Sequence, residues 1–275
     1  MSKTICAICP RACSLEEGAI GFCRARQASG GNVVDYNYGK ITALSLDPIE
    51  KKPLNRFYPG KSILSAGSFG CNLRCPFCQN HEISMCSSEI HYNEFSPEQL
   101  IDRAKELVPF NNIGIALTYN EPLVGYEYAF DVFTLAAKEK LKTVLVTNGY
   151  ANPGPFSRLL AETDAMNIDL KAFSAEFYCE IGGDLEIVKN NITLAAQGCH
   201  LEVTTLIIPG KNDDPVEIRE MTKWLSSLGA DIPLHLSRFF PRYRLADVPP
   251  TPPETIYHLA EIAKEHLNHV YLGNI

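Results

Sequence analysis

A chain of 275 residues, 45% apolar and 21% charged, has material for one large core or two small ones. Its net charge of −7, with the signs interspersed, argues against a dedicated nucleic-acid binder, which carries a basic face, and no run of about 18 apolar residues is present, so no membrane span is expected. The N-terminal MSKTICAICPRAC lacks the charged-then-apolar order of an export signal, so a cytoplasmic location is expected, and in that reducing compartment the ten cysteines point to metal or redox chemistry rather than disulfides.

Residues 1–60 read as a cysteine-rich N-terminal segment followed by a β-hairpin, and residues 61–275 as a barrel unit ending in a C-terminal helix. Cys6, Cys9, Cys13 and Cys23 supply four thiols, enough to close a site around structural zinc or around a second iron–sulfur cluster that only passes electrons; the spacing leaves both open. Gly18, Gly21, Gly30 and Gly31 leave this segment little apolar material for a core of its own. The stretch VVDYNYGKITALSL, from residue 33, alternates like an antiparallel hairpin with Tyr38, Gly39 and Lys40 near its turn.

Beyond residue 61, runs rich in β-branched residues recur at 62–69, 112–119, 142–149, 165–170, 200–208 and 233–239, with helical patterns between them. Ser96-Pro97-Glu98-Gln99 offers an N-cap, a proline at the first helical position and a capping-box glutamine. Asp214-Pro215 repeats the start signal, and Gly198 and Gly229 stand where helices should stop. Strands separated by helices require crossover connections and a parallel sheet. Six such units predict an α/β chain built on a partial (β/α)6 barrel of TIM type, whose chemistry sits at the C-terminal strand ends. A doubly wound open sheet is the alternative, disfavoured because no Gly-rich dinucleotide fingerprint follows the first strand. A Pro-rich connector from residue 241, a last helix and a short apolar run complete the chain.

The stretch FGCNLRCPFCQN follows the first of these strands and spaces Cys71, Cys75 and Cys78 as Cys-x3-Cys-x2-Cys. Three thiolates hold three irons of a cubane and leave the fourth without a protein ligand, which makes it a reaction site, as an open position does on catalytic zinc. The plainer readings are zinc completed by His81, or three buried core thiols; Asn72, Arg74 and Gln79 make the loop too polar for core. Cys86, Cys179 and Cys199 have no pairing logic and read as small core or surface thiols.

Cys71, Cys75 and Cys78, with Phe77 before the third cysteine, resemble the radical S-adenosylmethionine (SAM) signature. The resemblance implies a [4Fe–4S] cluster whose open iron chelates the amino and carboxylate groups of SAM. It also implies reductive cleavage of SAM to methionine and a 5′-deoxyadenosyl radical that abstracts hydrogen from a substrate. Residues 61–240 look like the pyruvate formate-lyase activating enzymes, and their strand ends fit that family's SAM pocket. Asn120 and Glu121 precede Pro122, with Tyr119-Asn120 in place of the usual glycines and Glu121 expected to receive the SAM ammonium. Thr147 and Asn148 end the third strand; Asp169 and Lys171 end the fourth, on one face across from Leu170. Thr204 lies in the fifth, and one of His235 and Arg238 on the sixth should reach the cleft. Val146 stands where relatives have an acidic residue, so their cation site is not carried over. Without the resemblance, Glu121 is equally a first-turn helix carboxylate and Asp169–Lys171 a strand-end ion pair.

The pattern C-x-x-C-P-R-x-C, then Gly21-Phe22-Cys23-Arg24, DPIEKKPL at 47–54 and FYPG at 57–60, resembles the AmmeMemoRadiSam-system radical SAM proteins over nearly the whole chain. That implies Memo-like and AMMECR-like proteins as partners and a reductant such as flavodoxin or ferredoxin. Phe240 stands where relatives often have histidine, and many relatives continue past Ile275 into a further Cys-x-x-Cys segment. Three functional readings follow: a radical SAM enzyme of unknown substrate, an activating enzyme for a glycyl radical enzyme, and, from another class, a zinc or iron–sulfur structural or electron-transfer protein without SAM chemistry. No residue is assigned a catalytic role.

Overall fold

The structure, a computed structural model, describes residues 3–86 and 89–275. Its centre is one eight-stranded sheet: β1 (Ala43–Pro48), β2 (Ser62–Gly67), β3 (Asn112–Leu117), β4 (Lys142–Thr147), β5 (Ala165–Asp169), β6 (His200–Ile207), β7 (Leu234–Arg238) and β8 (Val270–Gly273). The strands lie side by side in that order, and the sheet stays open, with β1 and β8 as its edges. β1 runs antiparallel to β2, and every other neighbouring pair is parallel. Helices Pro97–Glu106, Tyr126–Lys138, Pro153–Leu160, Leu185–Gly198, Pro215–Leu228 and Pro253–Lys264 bridge the successive parallel strands.

All six helices share one core with one face of the sheet: Leu100, Phe133, Phe156, Val188, Met221 and Leu259 pack in the same cluster as Leu64, Ile115, Leu145, Ile168, Val203 and Leu236. The opposite face carries Ile63, Ala116, Val144 and Ala165, and these bury against Ile49, Leu54 and Phe57 of the β1–β2 connection rather than against helices. Helices on one face and a chain plug inside the other are the partial-barrel arrangement, and they remove the doubly wound alternative, which needs helices on both faces. No described helix is long and apolar enough to cross a membrane.

The local signals act as their chemistry requires. Ser96 Oγ accepts from the Gln99 amide while the Gln99 side chain accepts from the Ser96 amide, a complete capping box. Asp214 accepts from the Val216 amide at 2.9 Å, Gly198 ends its helix and Gly229 caps the next.

Two expectations shift. The hairpin is not centred on Tyr38-Gly39-Lys40: it joins Arg26–Ser29 to Asn32–Asp35 around Gly30 and Gly31. Both turn glycines have positive φ, 58° and 78°, which the tight two-residue turn demands at both centres. Val33 and Leu44 therefore do not share a hairpin; Lys40–Ile41 pairs with Asn93–Glu94, and Ala43–Pro48 is the antiparallel edge of the main sheet. Alternation reports half-burial, not the partner strand. The short apolar run after the last helix becomes β8, a seventh parallel strand; its four residues are too few to show a period.

Candidate active site

A cavity of about 650 Å³ opens at the C-terminal ends of the parallel strands. Cys71, Cys75 and Cys78 line it, and so does every residue the sequence placed around SAM: Phe77, Asn120, Glu121, Thr147, Asn148, Asp169, Lys171, Thr204 and His235. Of the two sixth-strand candidates it is His235 that faces the cavity, along with Ser237; Arg238 donates to the Thr251 carbonyl instead.

The cysteine loop is held by backbone and by amide side chains. Cys71 N–H donates to the Cys23 carbonyl at 3.1 Å and Arg74 N–H to the Ile181 carbonyl at 2.8 Å. Asn120 accepts from Ser68 N–H at 2.9 Å and donates to the Phe69 and Gly70 carbonyls, so it fixes the strand-to-loop turn. Two donors reach Cys71 Sγ: Leu73 N–H at 3.4 Å and Asn148 Nδ2 at 3.6 Å. Burial pushes the Cys75 thiol up to about 12 and that of Cys71 well above its ordinary value. Such thiols stay protonated until a metal takes the proton's place.

His81 does not join them. Its ring stacks on Tyr243 at 4.4 Å, outside the cavity lining. Among the described residues, no three His, Cys, Asp or Glu side chains gather closely enough to hold a single metal ion. His81 thus stands apart from the three cysteines that line the cavity.

Glu121 is 2% exposed and ties two strand ends together, accepting from Leu123 N–H (2.9 Å), Thr147 Oγ1 (2.6 Å) and Asn148 N–H (2.8 Å). Burial outweighs these bonds and raises its carboxyl to about 7. Lys171 Nζ meets Asp169 at 2.7 Å inside the cavity. Burial by itself would lower the ammonium, but the neighbouring Asp169 carboxylate raises it, so it stays protonated. Thr204 Oγ1 is buried with no hydrogen-bond partner among the described residues.

The sequence missed the floor and the rim. Glu202, wholly buried, accepts from His235 Nε2 (2.6 Å), His200 Nε2 (2.9 Å) and the Asn55 and Arg56 amides (3.0 and 2.7 Å), clamping the β1–β2 plug to β6 and orienting His235. Burial would raise its carboxyl; the donors hold it at about 2. His235 also stacks on Tyr271 of β8. On the rim, Tyr119 has φ of 72°, in the left-handed region that favours glycine. Its hydroxyl donates to Asp47 at 2.5 Å, and Lys52, bonded to the same carboxylate at 2.8 Å, lies over its ring. A charged residue inside an apolar strand was the available signal for Glu202. The DPIEKKPL stretch supplies Asp47 and Lys52 but says nothing by itself of Tyr119.

The four N-terminal cysteines also converge, on a separate small hollow behind the loop. All ten cysteines are free thiols.

An uncharacterized protein of Methanocaldococcus jannaschii is 42% identical to this chain over 279 residues, covering all of it and 82% of its own length. The pyruvate formate-lyase 1-activating enzyme of Escherichia coli is 25% identical over 175 residues, 58% of this chain and 67% of that one. In solved structures the fold resembles a radical SAM methyltransferase from Sphaerobacter thermophilus, with a TM-score of 0.58 at 16% identity over 78% of this chain and 67% of that one. The signature of the Radical SAM superfamily matches residues 67–222, the span from the end of β2 to the fifth helix, and the chain belongs to that superfamily of enzymes.

Proposed function

We propose that this enzyme holds a [4Fe–4S] cluster on Cys71, Cys75 and Cys78, binds SAM at the open iron, and abstracts hydrogen from a substrate in the remaining cavity. One observation carries the reading: three thiols face a cavity of about 650 Å³ to which no other cysteine contributes, and its lining histidine, His235, commits Nε2 to Glu202. When bound, the cluster and SAM supply reductive cleavage of the sulfonium and a 5′-deoxyadenosyl radical.

The chain's own residues prepare that chemistry. The Leu73 amide and Asn148 side chain donate toward Cys71 Sγ, which favours the thiolate and tunes the metal. Glu121, ionised above about pH 7, offers negative charge to the ammonium of SAM while still bracing Thr147 and Asn148. The Asp169–Lys171 pair presents a carboxylate to ribose hydroxyls and an ammonium to a carboxylate, and Thr204 has a free hydroxyl to share. Phe77, 4% exposed against Phe177, walls the loop from water.

A flavodoxin or ferredoxin is the proposed electron donor, and Memo-like and AMMECR-like proteins are proposed partners on the strength of the N-terminal resemblance. Activation of a glycyl radical enzyme is the second reading, supported by the 25% identity to the E. coli activating enzyme. The test is anaerobic reconstitution followed by dithionite and SAM. Wild type should release 5′-deoxyadenosine, and Cys75→Ala should release none; undiminished release from that variant would remove the loop from the cluster. A glycyl radical EPR doublet on an added partner polypeptide would establish the second reading.

A further inference from the structure

We infer that Phe22, with Arg11, Arg24 and Arg74 around it, forms the docking surface for a small acidic electron-carrier protein, on the outer side of the three-cysteine loop. For the electron's destination this rests on the cluster reading above. The chain carries a net charge of −7, yet three arginines crowd together here. Burial, and then the like charges of Arg24 and Arg11, lower the proton affinity of Arg74. Among the described residues the arginines that pair with carboxylates are Arg26, Arg103 and Arg219, and none of these three. Arg11 is held instead by the Asn72 and Gly182 carbonyls, and Arg74 by those of Cys71, Leu73 and Phe22. Carbonyls orient a guanidinium without cancelling its charge, so this face keeps a positive potential on an acidic molecule.

Phe22 supplies the apolar centre. It is 38% exposed, and the guanidinium carbons of Arg11 and Arg74 lie 3.5 and 3.8 Å from its ring centroid. Arg24, two residues on, is exposed. An exposed aromatic among arginines has the composition of an interface core, whereas a merely solvated face is rich in lysine and glutamate. Arg11, Phe22 and Arg24 all precede the span matched by the superfamily signature, so the face is largely this chain's own addition to that fold.

Position decides the occupant. None of the four residues lines the cavity, so a partner seated here does not reach the space proposed for SAM and substrate. The face touches the loop from outside. Arg74 Nη1 donates to the Cys71 carbonyl at 2.8 Å, and Cys23, between Phe22 and Arg24, accepts from the Cys71 amide at 3.1 Å. A protein that delivers only an electron needs nearness to the thiols and no entry to the cavity. One electron leaves the reduced carrier and enters the cluster on the loop; no bond forms or breaks in the transfer. The carrier's acidic surface meets the arginines, which steer the encounter.

The test titrates an acidic flavodoxin and an acidic ferredoxin into the full, anaerobically reconstituted chain by calorimetry, at about 0.05 M and about 0.5 M salt. At least one carrier should bind wild type at the lower salt and bind about tenfold more weakly at the higher. Arg24→Glu should weaken that binding about tenfold at low salt, while Arg24→Lys stays within about twofold. Release of 5′-deoxyadenosine driven by the carrier should show a raised KM for the carrier in Arg24→Glu, with dithionite-driven release unchanged. Binding of neither carrier, equal binding by wild type and Arg24→Glu, or binding of a DNA duplex in preference to both carriers overturns the inference. Dithionite-driven release without carrier binding removes the docking surface alone. Salt-sensitive carrier binding that Arg24→Glu weakens, without release under either reductant, keeps the surface and drops the cluster reading, so the two failures are distinguishable.

Discussion

Glu202→Gln tests whether the barrel floor is held by charge. The wild-type carboxylate is wholly buried and accepts four donors, at 2.6, 2.7, 2.9 and 3.0 Å. Glutamine keeps the shape but accepts through only one oxygen, and its amide nitrogen must face a backbone N–H or an imidazole N–H. Two charge-assisted bonds lost at about 1.5 kcal/mol each give roughly 3 kcal/mol. The proton affinity says the same. Holding the carboxyl at about 2 rather than the ordinary 4.5 corresponds to roughly 3 kcal/mol, at about 1.4 kcal/mol per tenfold change. For a chain of 275 residues that lowers the melting temperature by about 5 °C. Because the folded carboxyl titrates below the unfolded one, this stabilisation is fully present above pH 4.5 and is lost as pH falls toward 2. Circular-dichroism melts of the anaerobically reconstituted proteins should therefore show the full difference at both pH 7.5 and pH 5.5. A variant within about 0.5 kcal/mol of wild type at those pH values would refute the argument.

Tyr119→Phe removes the hydroxyl from Asp47 and should cost about 1.5 kcal/mol in urea unfolding, with the Asp47 carboxyl rising from about 2 by NMR titration; no change in either would mean the rim contact is idle. Gly114→Ala places a Cβ 1.9 Å from the Lys142 carbonyl between β3 and β4 and should cost more than about 4 kcal/mol, so a soluble variant with near-native melting contradicts the register. His81→Ala loses the stack on Tyr243, about 1 kcal/mol, and should leave iron content and 5′-deoxyadenosine release unchanged; a loss of metal would make His81 a ligand.

The β/α alternation from residue 62 onward was legible because each strand and helix carries its own local signal, and the capping box at Ser96 and the stops at Gly198 and Gly229 depend on neighbours within a few residues. The cysteine loop was legible for the same reason: its three thiols fall within eight residues. Strand-end residues such as Glu121, Asp169 and Thr204 could be placed once the strands were, since a parallel barrel sends those ends to one rim.

Tertiary structure decided what distant segments do to one another. Which strand Ala43–Pro48 joins and that Val270–Gly273 extends the sheet depend on partners remote in the chain, which periodicity does not encode. The same holds for Glu202 gripping the 53–57 plug and for Tyr119 meeting Asp47. Spacing along the chain groups thiols within one loop; only folding brings the Asn55 amide to a carboxylate 147 positions away.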